Sequence, residues 1–149
     1  MTLQEQINAD IITAMKAKDE VSLRALRALK SALLLASSEA GASDKIEDER
    51  SIKIFQKLSK QRKESYDIFM QNGRTELAEK EKEEIEVIEK YLPKQMGEAE
   101  IKQALQAVIS EAGASSAADF GKVMPLAMKA LAGKADGKII SSILKELLA

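Results

Sequence analysis

Apolar residues return every third or fourth position along most of the chain, which is the spacing of one helix face. Leu3, Ile7, Ile11 and Met15 step by four, with Ile12 widening the stripe, and predict a first helix from Thr2 to about Lys18. Thr2 is suited to cap its start. Asp19 can cap a second helix, from Glu20 to about Ala40, whose stripe is Leu23, Leu26, Leu29 and Leu33 with Leu34 and Leu35 beside it. Gly41 suits the left-handed residue that closes such a helix. Ser43 or Asp44 can cap a long third helix ending near Asn72-Gly73. Along it Ile52, Phe55, Leu58, Arg62, Tyr66 and Phe69 share a side, so a charged residue sits inside an apolar stripe.

A fourth helix follows from Thr75 to about Leu92, rich in Glu and Lys, with Leu77, Ile85, Ile88 and Leu92 on one face and Glu81 between them. Pro93 ends it, because proline disfavours helical backbone in the residue before it. Beyond Pro93–Gly97 the helices become shorter and richer in Ala and Gly. The fifth spans Glu98–Ala112, with Ile101, Leu105, Val108 and Ile109 inward and Gly113 at its end. Ser116 and Asp119 have the spacing of a capping box before a sixth helix. Pro125 is expected to kink or restart that helix. Gly133 closes it, and Asp136 can cap a seventh whose Ile139, Ile140, Ile143, Leu144 and Leu147 face in. The expected fold class is all-α, with an elongated helical domain at 1–92 and a compact three-helix tail at 93–149.

Composition supports helices. Apolar residues form 45% of the 149 positions, while aromatics form only 3%. Sheets draw on aromatic and β-branched residues, whereas Leu and Ala favour helix. The chain has no Cys and no His. That removes disulfides, thiolate metal sites, cysteine nucleophiles, the usual neutral-pH base and the commonest metal ligand. No signal peptide is visible, and the longest strongly apolar run, Ala32–Ala36, is far short of the ~20 residues of a membrane span. The expectation is a cytoplasmic protein that makes no use of a membrane. Net charge is −1, with 16 Lys/Arg against 18 Asp/Glu in residues 1–91 and 7 against 6 in 92–149. Bulk electrostatics therefore does not favour nucleic acid, and any such binding needs a local patch.

Candidates for catalysis are sparse. The run Glu79–Glu84 offers carboxylates, but alternating signs on a helix usually mark a solvated face. A nucleophilic serine needs an activating base, and without histidine only lysine remains. No Ser-x-x-Lys or Gly-x-Ser-x-Gly pattern is read at the serine pairs 37–38, 115–116 and 141–142, which are taken as caps and surface positions. Gly133-Lys134 lacks the Ser/Thr and the preceding strand of a phosphate loop. On the third helix Lys53, Lys57, Lys60 and Lys63 lie along one side. They suit either a phosphate backbone or solvent, diluted by Glu64 and Asp67; Arg24, Arg27 and Lys30 on the second helix are open in the same way. No catalytic residue, metal ligand or cofactor is assigned.

Six segments, taken in order, carry a resemblance over essentially the whole chain. They are Leu26-Arg27-Ala28-Leu29-Lys30-Ser31-Ala32, Lys60-Gln61-Arg62-Lys63-Glu64-Ser65, Gly73-Arg74-Thr75-Glu76-Leu77-Ala78-Glu79-Lys80-Glu81, Glu89-Lys90-Tyr91-Leu92-Pro93-Lys94-Gln95-Met96, Gly121-Lys122-Val123-Met124 and Gly133-Lys134-Ala135-Asp136-Gly137-Lys138. Together they resemble the YqeY (GatB/YqeY) family. The last two also resemble the C-terminal tail of the B subunit of glutamine-dependent aminoacyl-tRNA amidotransferase, and an appendage of some glutaminyl-tRNA synthetases. Gly97 departs from the Ser or Thr more usual in the family, and Pro125 is also unusual there.

The resemblance implies a helical tail that helps hold tRNA beside a tRNA-aminoacylating or amidating enzyme. The carbon–nitrogen ligase label attached to such families finds no catalytic constellation in these residues. On this reading the protein is a non-catalytic tRNA-associated accessory module. A helical protein-interaction adaptor without a nucleic-acid role is the alternative, and oligomeric state is open. The nucleic-acid contacts expected are Lys122, Lys134 and Lys138, set among small residues that let a phosphate backbone approach. The same lysines could equally be solvated neighbours of helix caps.

Overall fold

The computed structural model describes residues 1–39 and 46–149. Among these the chain forms seven α-helices and one short 3-10 turn, with no strand. The helices are α1 (Leu3–Ala17), α2 (Glu20–Glu39), α3 (Asp48–Gln71), α4 (Thr75–Glu89), α5 (Glu98–Ala112), α6 (Phe120–Ala130) and α7 (Gly137–Leu148). Contacts divide them into two compact units, Met1–Leu92 and Pro93–Ala149.

In the first unit, α1 opens with a reciprocal capping box. Thr2 Oγ1 accepts the Glu5 N–H at 3.1 Å and Glu5 Oε2 accepts the Thr2 N–H at 3.0 Å. Two of the amides with no partner inside the helix are thereby satisfied. Lys18 closes α1 in left-handed backbone, φ 57°. Asp19 then caps α2, accepting the Ser22 N–H and O–H at 3.1 and 2.7 Å. The proposed caps Gly41, Ser43 and Asp44, and the expected last turn of α2 at Ala40, lie outside the described residues. Gly73, at φ 70°, turns α3 into α4 through an Arg74 N–H to Phe69 C=O bond of 2.8 Å. The fourth helix ends at Glu89, earlier than its pattern suggested. Tyr91 and Leu92 donate to carbonyls three residues back, at 3.0 and 3.2 Å, so the chain tightens before Pro93.

The core of this unit gathers Ile7, Ala25, Leu26, Leu29, Leu33, Ile46, Phe55, Val87 and Ile88. Ile12 and Met15, expected inward, are both 54% exposed, since α1 packs through Ile7 and Ala14 instead. Leu34 and Leu35 are also exposed. The charged residue in the α3 stripe finds its explanation here. Arg62 Nε and Arg24 Nε each reach Glu84 at 3.1 Å, on opposite carboxylate oxygens, and Arg24 also meets Glu83 at 3.2 Å. The Glu-rich run is therefore more than a solvated face: one of its carboxylates ties three helices.

In the second unit Ile101, Leu105, Val123, Ala127, Leu131, Ile140, Ile143, Leu144 and Leu148 form the core. Ile139, expected inward, is exposed. The expected Ser116–Asp119 capping box does not form. Ser116 makes no side-chain cap bond, and Asp119 Oδ2 accepts the Ser115 N–H at 3.0 Å, because a 3-10 turn, Ala117–Asp119, intervenes before α6. Nor does the helix restart at Pro125, which lies inside α6. Proline there forgoes one bond to the carbonyl of Gly121. Gly121 is exposed with open space around it, so water can meet that carbonyl.

Candidate nucleic-acid interface on the last helix

The turn between α6 and α7 is built by two distant pieces of the sequence. Gln95 donates its amide to the carbonyls of Pro93 and Gly133 at 2.7 and 2.8 Å. The Met96 N–H donates to the Lys134 carbonyl at 2.9 Å. Gly133 can take part because its φ of 76° is open to glycine at little cost. The Lys94-Gln95-Met96 and Gly133–Lys138 segments are thus one structural feature, which fixes where α7 begins.

Asp136 stands at the N-cap of α7 in extended backbone, and Gly137 begins the helix against Met128. A Cβ on Gly137 would sit 3.1 Å from Met128 Cε, so a glycine lets α6 and α7 close there. From that point Gly137, Lys138, Ser141, Ser142 and Lys145 line an open groove of about 440 Å³. The spacing of Lys138, Ser141 and Lys145 keeps them on one side of α7, opposite buried Ile140, Ile143 and Leu144. Two ammonium groups and two hydroxyls are hydrogen-bond donors, and the start of a helix contributes positive potential. Such a surface suits phosphate oxygens. Lys145 Nζ also lies 5.6 Å from the centre of the Phe120 ring, which orients it.

The three lysines expected to act together have different surroundings. Lys138 lines the groove. Lys134 is exposed in the preceding turn, its backbone held by Met96 and Leu131. Lys122, on α6, donates to the Ala112 carbonyl at 3.1 Å and so closes the C-terminal end of α5. A cation there meets the negative end of the helix dipole. Lys145, Ser141 and Ser142 were not singled out by motif, although the helical spacing from Lys138 would have found them. Ser142-Ile143-Leu144-Lys145 has the Ser-x-x-Lys spacing of some nucleophilic serines, which the reading by motif passed over. Its lysine is exposed and lies over Phe120, where a base would need to lie within hydrogen-bond reach of the hydroxyl.

Several cations of the first unit have internal partners. Lys53 meets Glu49 at 3.9 Å and Lys63 meets Glu89 at 2.9 Å. A cleft of about 180 Å³ lies among Asp10, Thr13, Asp19, Ser22, Lys90 and Tyr91. Burial first, then the hydrogen bond to Asp10 and its charge, push the Tyr91 hydroxyl up from its ordinary value. It stays protonated and donates to Asp10, which ties α1 to the end of α4.

The fold and this groove define an all-helical, two-unit protein with a small cationic surface on its last helix. Residues 4–148 match the family described as Yqey-like protein, and the chain belongs to that YqeY family. It is 33% identical over 114 residues to Altered inheritance of mitochondria protein 41, mitochondrial, of Saccharomyces cerevisiae strain YJM789, covering 72% of this chain and 60% of the relative. The protein of the same name in Candida glabrata is 40% identical over 88 residues, covering 58% and 47%. That of Lachancea thermotolerans is 37% identical over 87 residues, covering 58% and 46%. The chain thus spans 60% or less of the length of these relatives. Among the described residues no helix is long and apolar enough to cross a membrane.

Proposed function

We propose that the protein is a non-catalytic accessory module, working in the cytoplasm, that holds the phosphate backbone of tRNA for a tRNA-aminoacylating or amidating enzyme. The observation that carries this is the α7 groove, where Lys138 and Lys145 flank two serine hydroxyls with no carboxylate in the lining. The Gly121–Met124 and Gly133–Lys138 segments add their resemblance to the amidotransferase B-subunit tail. Lys134 extends the cationic surface, and Lys122 supports it by holding the end of α5. With about three phosphate contacts, log K falls against log salt with a slope of roughly −2 to −3. Binding is weak alone and becomes useful when a partner enzyme already holds the tRNA, through effective concentration.

Filter binding of tRNA at two salt concentrations tests this. Lys134→Ala/Lys138→Ala/Lys145→Ala should weaken binding and flatten the salt slope, while Lys122→Ala should do less. Equal affinity and slope for the triple variant and the wild type would remove the assignment. Purified protein is also expected to show no glutaminase activity.

A further inference from the structure

The side of α3 that packs against α2 continues past the start of α2. Phe55, Ser59, Arg62, Tyr66 and Phe69 follow one another in steps of three or four, so they share a side. Phe55 and Ser59 are buried, and Arg62 meets the Glu84 that also holds Arg24 of α2. Arg24 is four residues from the start of α2, about 6 Å of helix. Beyond Arg62, α3 runs nine residues more to Gln71, about 14 Å. Among residues 60–86 Ala78 alone is buried. Tyr66 and Phe69 are half-buried, and Met70 beside them and Leu77 on α4 are 46% and 37% exposed. Among the described residues of the first unit, the tip of the α3–α4 hairpin is therefore two helices side by side, with an apolar surface that no third helix covers.

Its charge says what kind of chain fits. Residues 64–83 carry six carboxylates and three cations, and with Glu83 already paired to Arg24 a surplus of two negative charges is left. A nucleic-acid backbone is repelled. A second copy laid tip to tip would bring the same surplus, and like charges across an interface oppose association. Lower down, α2 already rests on both α3 and α4, so the hairpin accepts a helix along this side. We infer that the hairpin tip is a docking surface for a basic amphipathic helix of a partner protein. Its apolar side chains, one or two turns apart, meet Tyr66, Phe69, Met70 and Leu77, and its Lys and Arg meet the acidic rim. About two turns of contact make a small interface, so affinity is modest. This surface shares no residue with the α7 groove, and either can fail alone.

The test is selection of a phage-displayed library of random 16-residue peptides on the full chain, with a Met70→Ser/Leu77→Ser variant as the counter-target. Both residues are exposed, and circular dichroism melts check that the variant folds. Enriched peptides should be Lys- and Arg-flanked amphipathic helices that bind wild type at least ~10-fold more tightly than the variant and weaken with salt. No enrichment over the variant, or acidic or unpatterned winners, or equal binding to both proteins would overturn the inference. So would a sedimentation result showing a dimer that the variant abolishes, because a second copy would then occupy the tip.

Discussion

The two units carry nearly balanced charge but use it differently. In the first, three cations are paired between helices: Arg24 and Arg62 share Glu84, and Lys63 reaches Glu89. In the tail, the Lys102–Glu98 pair lies within one turn of α5, and Lys138 and Lys145 face an open groove. Balance by residue count therefore says little about where a cation is available to a ligand. Internal partners make the difference. Lys122 shows it within the tail itself, since its ammonium is engaged by a helix end.

The largest expected effects test whether the units are separate folding domains, as we propose. Phe55→Ala removes the largest fully buried side chain of the first unit, and Leu144→Ala removes a fully buried one of the second. Each should cost about 3–5 kcal/mol. Scanning calorimetry should show Phe55→Ala lowering one transition and Leu144→Ala the other. One shared transition lowered by both would join the units. Limited proteolysis should cut first between Leu92 and Gly97.

A smaller effect, of opposite sign, is expected in the tail. Pro125→Ala restores a helix amide at an exposed position, and the tail transition should rise by about 1–3 kcal/mol. An unchanged or lower transition would mean that the proline ring packs in a way its exposure does not suggest.

The smallest effect is in pH dependence within the first unit. Burial first, then the charge of Glu84, hold the Glu81 carboxyl above its ordinary 4.5, against the pull of Arg62 and Arg24. The folded state binds this proton more tightly than the unfolded state. Its contribution to stability therefore falls as pH rises from 4.5 through the raised value. Asp19 has the opposite sign. The Ser22 hydroxyl, then the Ser22 amide, hold it below 3.8, so its contribution is present above that pH and is lost as pH falls through the lowered value. Glu81→Gln should remove the first effect and raise the neutral-pH melting temperature slightly, while the acid-side loss remains. A lower neutral-pH melting temperature in melts from pH 3 to 8 would count against this account.

Helix existence was legible because caps and apolar spacing are local. Thr2, Asp19, Gly73 and Gly113 mark ends that the chain uses. Facing was less legible. Ile12, Met15 and Ile139 fit an apolar stripe yet lie outside, because periodicity does not say which side of a broad stripe a neighbour will cover. The Arg62–Glu84 pair spans 22 residues and the Gln95–Gly133 bond 38, so neither announces itself in a window of sequence. The groove was half legible. Motif matching led to Lys134 and Lys138, while Lys145 follows only when spacing is carried on along α7.

The most direct measurement is an NMR titration of the isotope-labelled full chain with tRNA, following backbone amides and lysine side chains at low and moderate salt. The account predicts perturbations concentrated at Lys134, Lys138, Ser141, Ser142 and Lys145, shrinking as salt rises, with little change along Lys53, Lys57 and Lys60. Perturbations centred on the α3 lysines, with α7 unmoved, would contradict it.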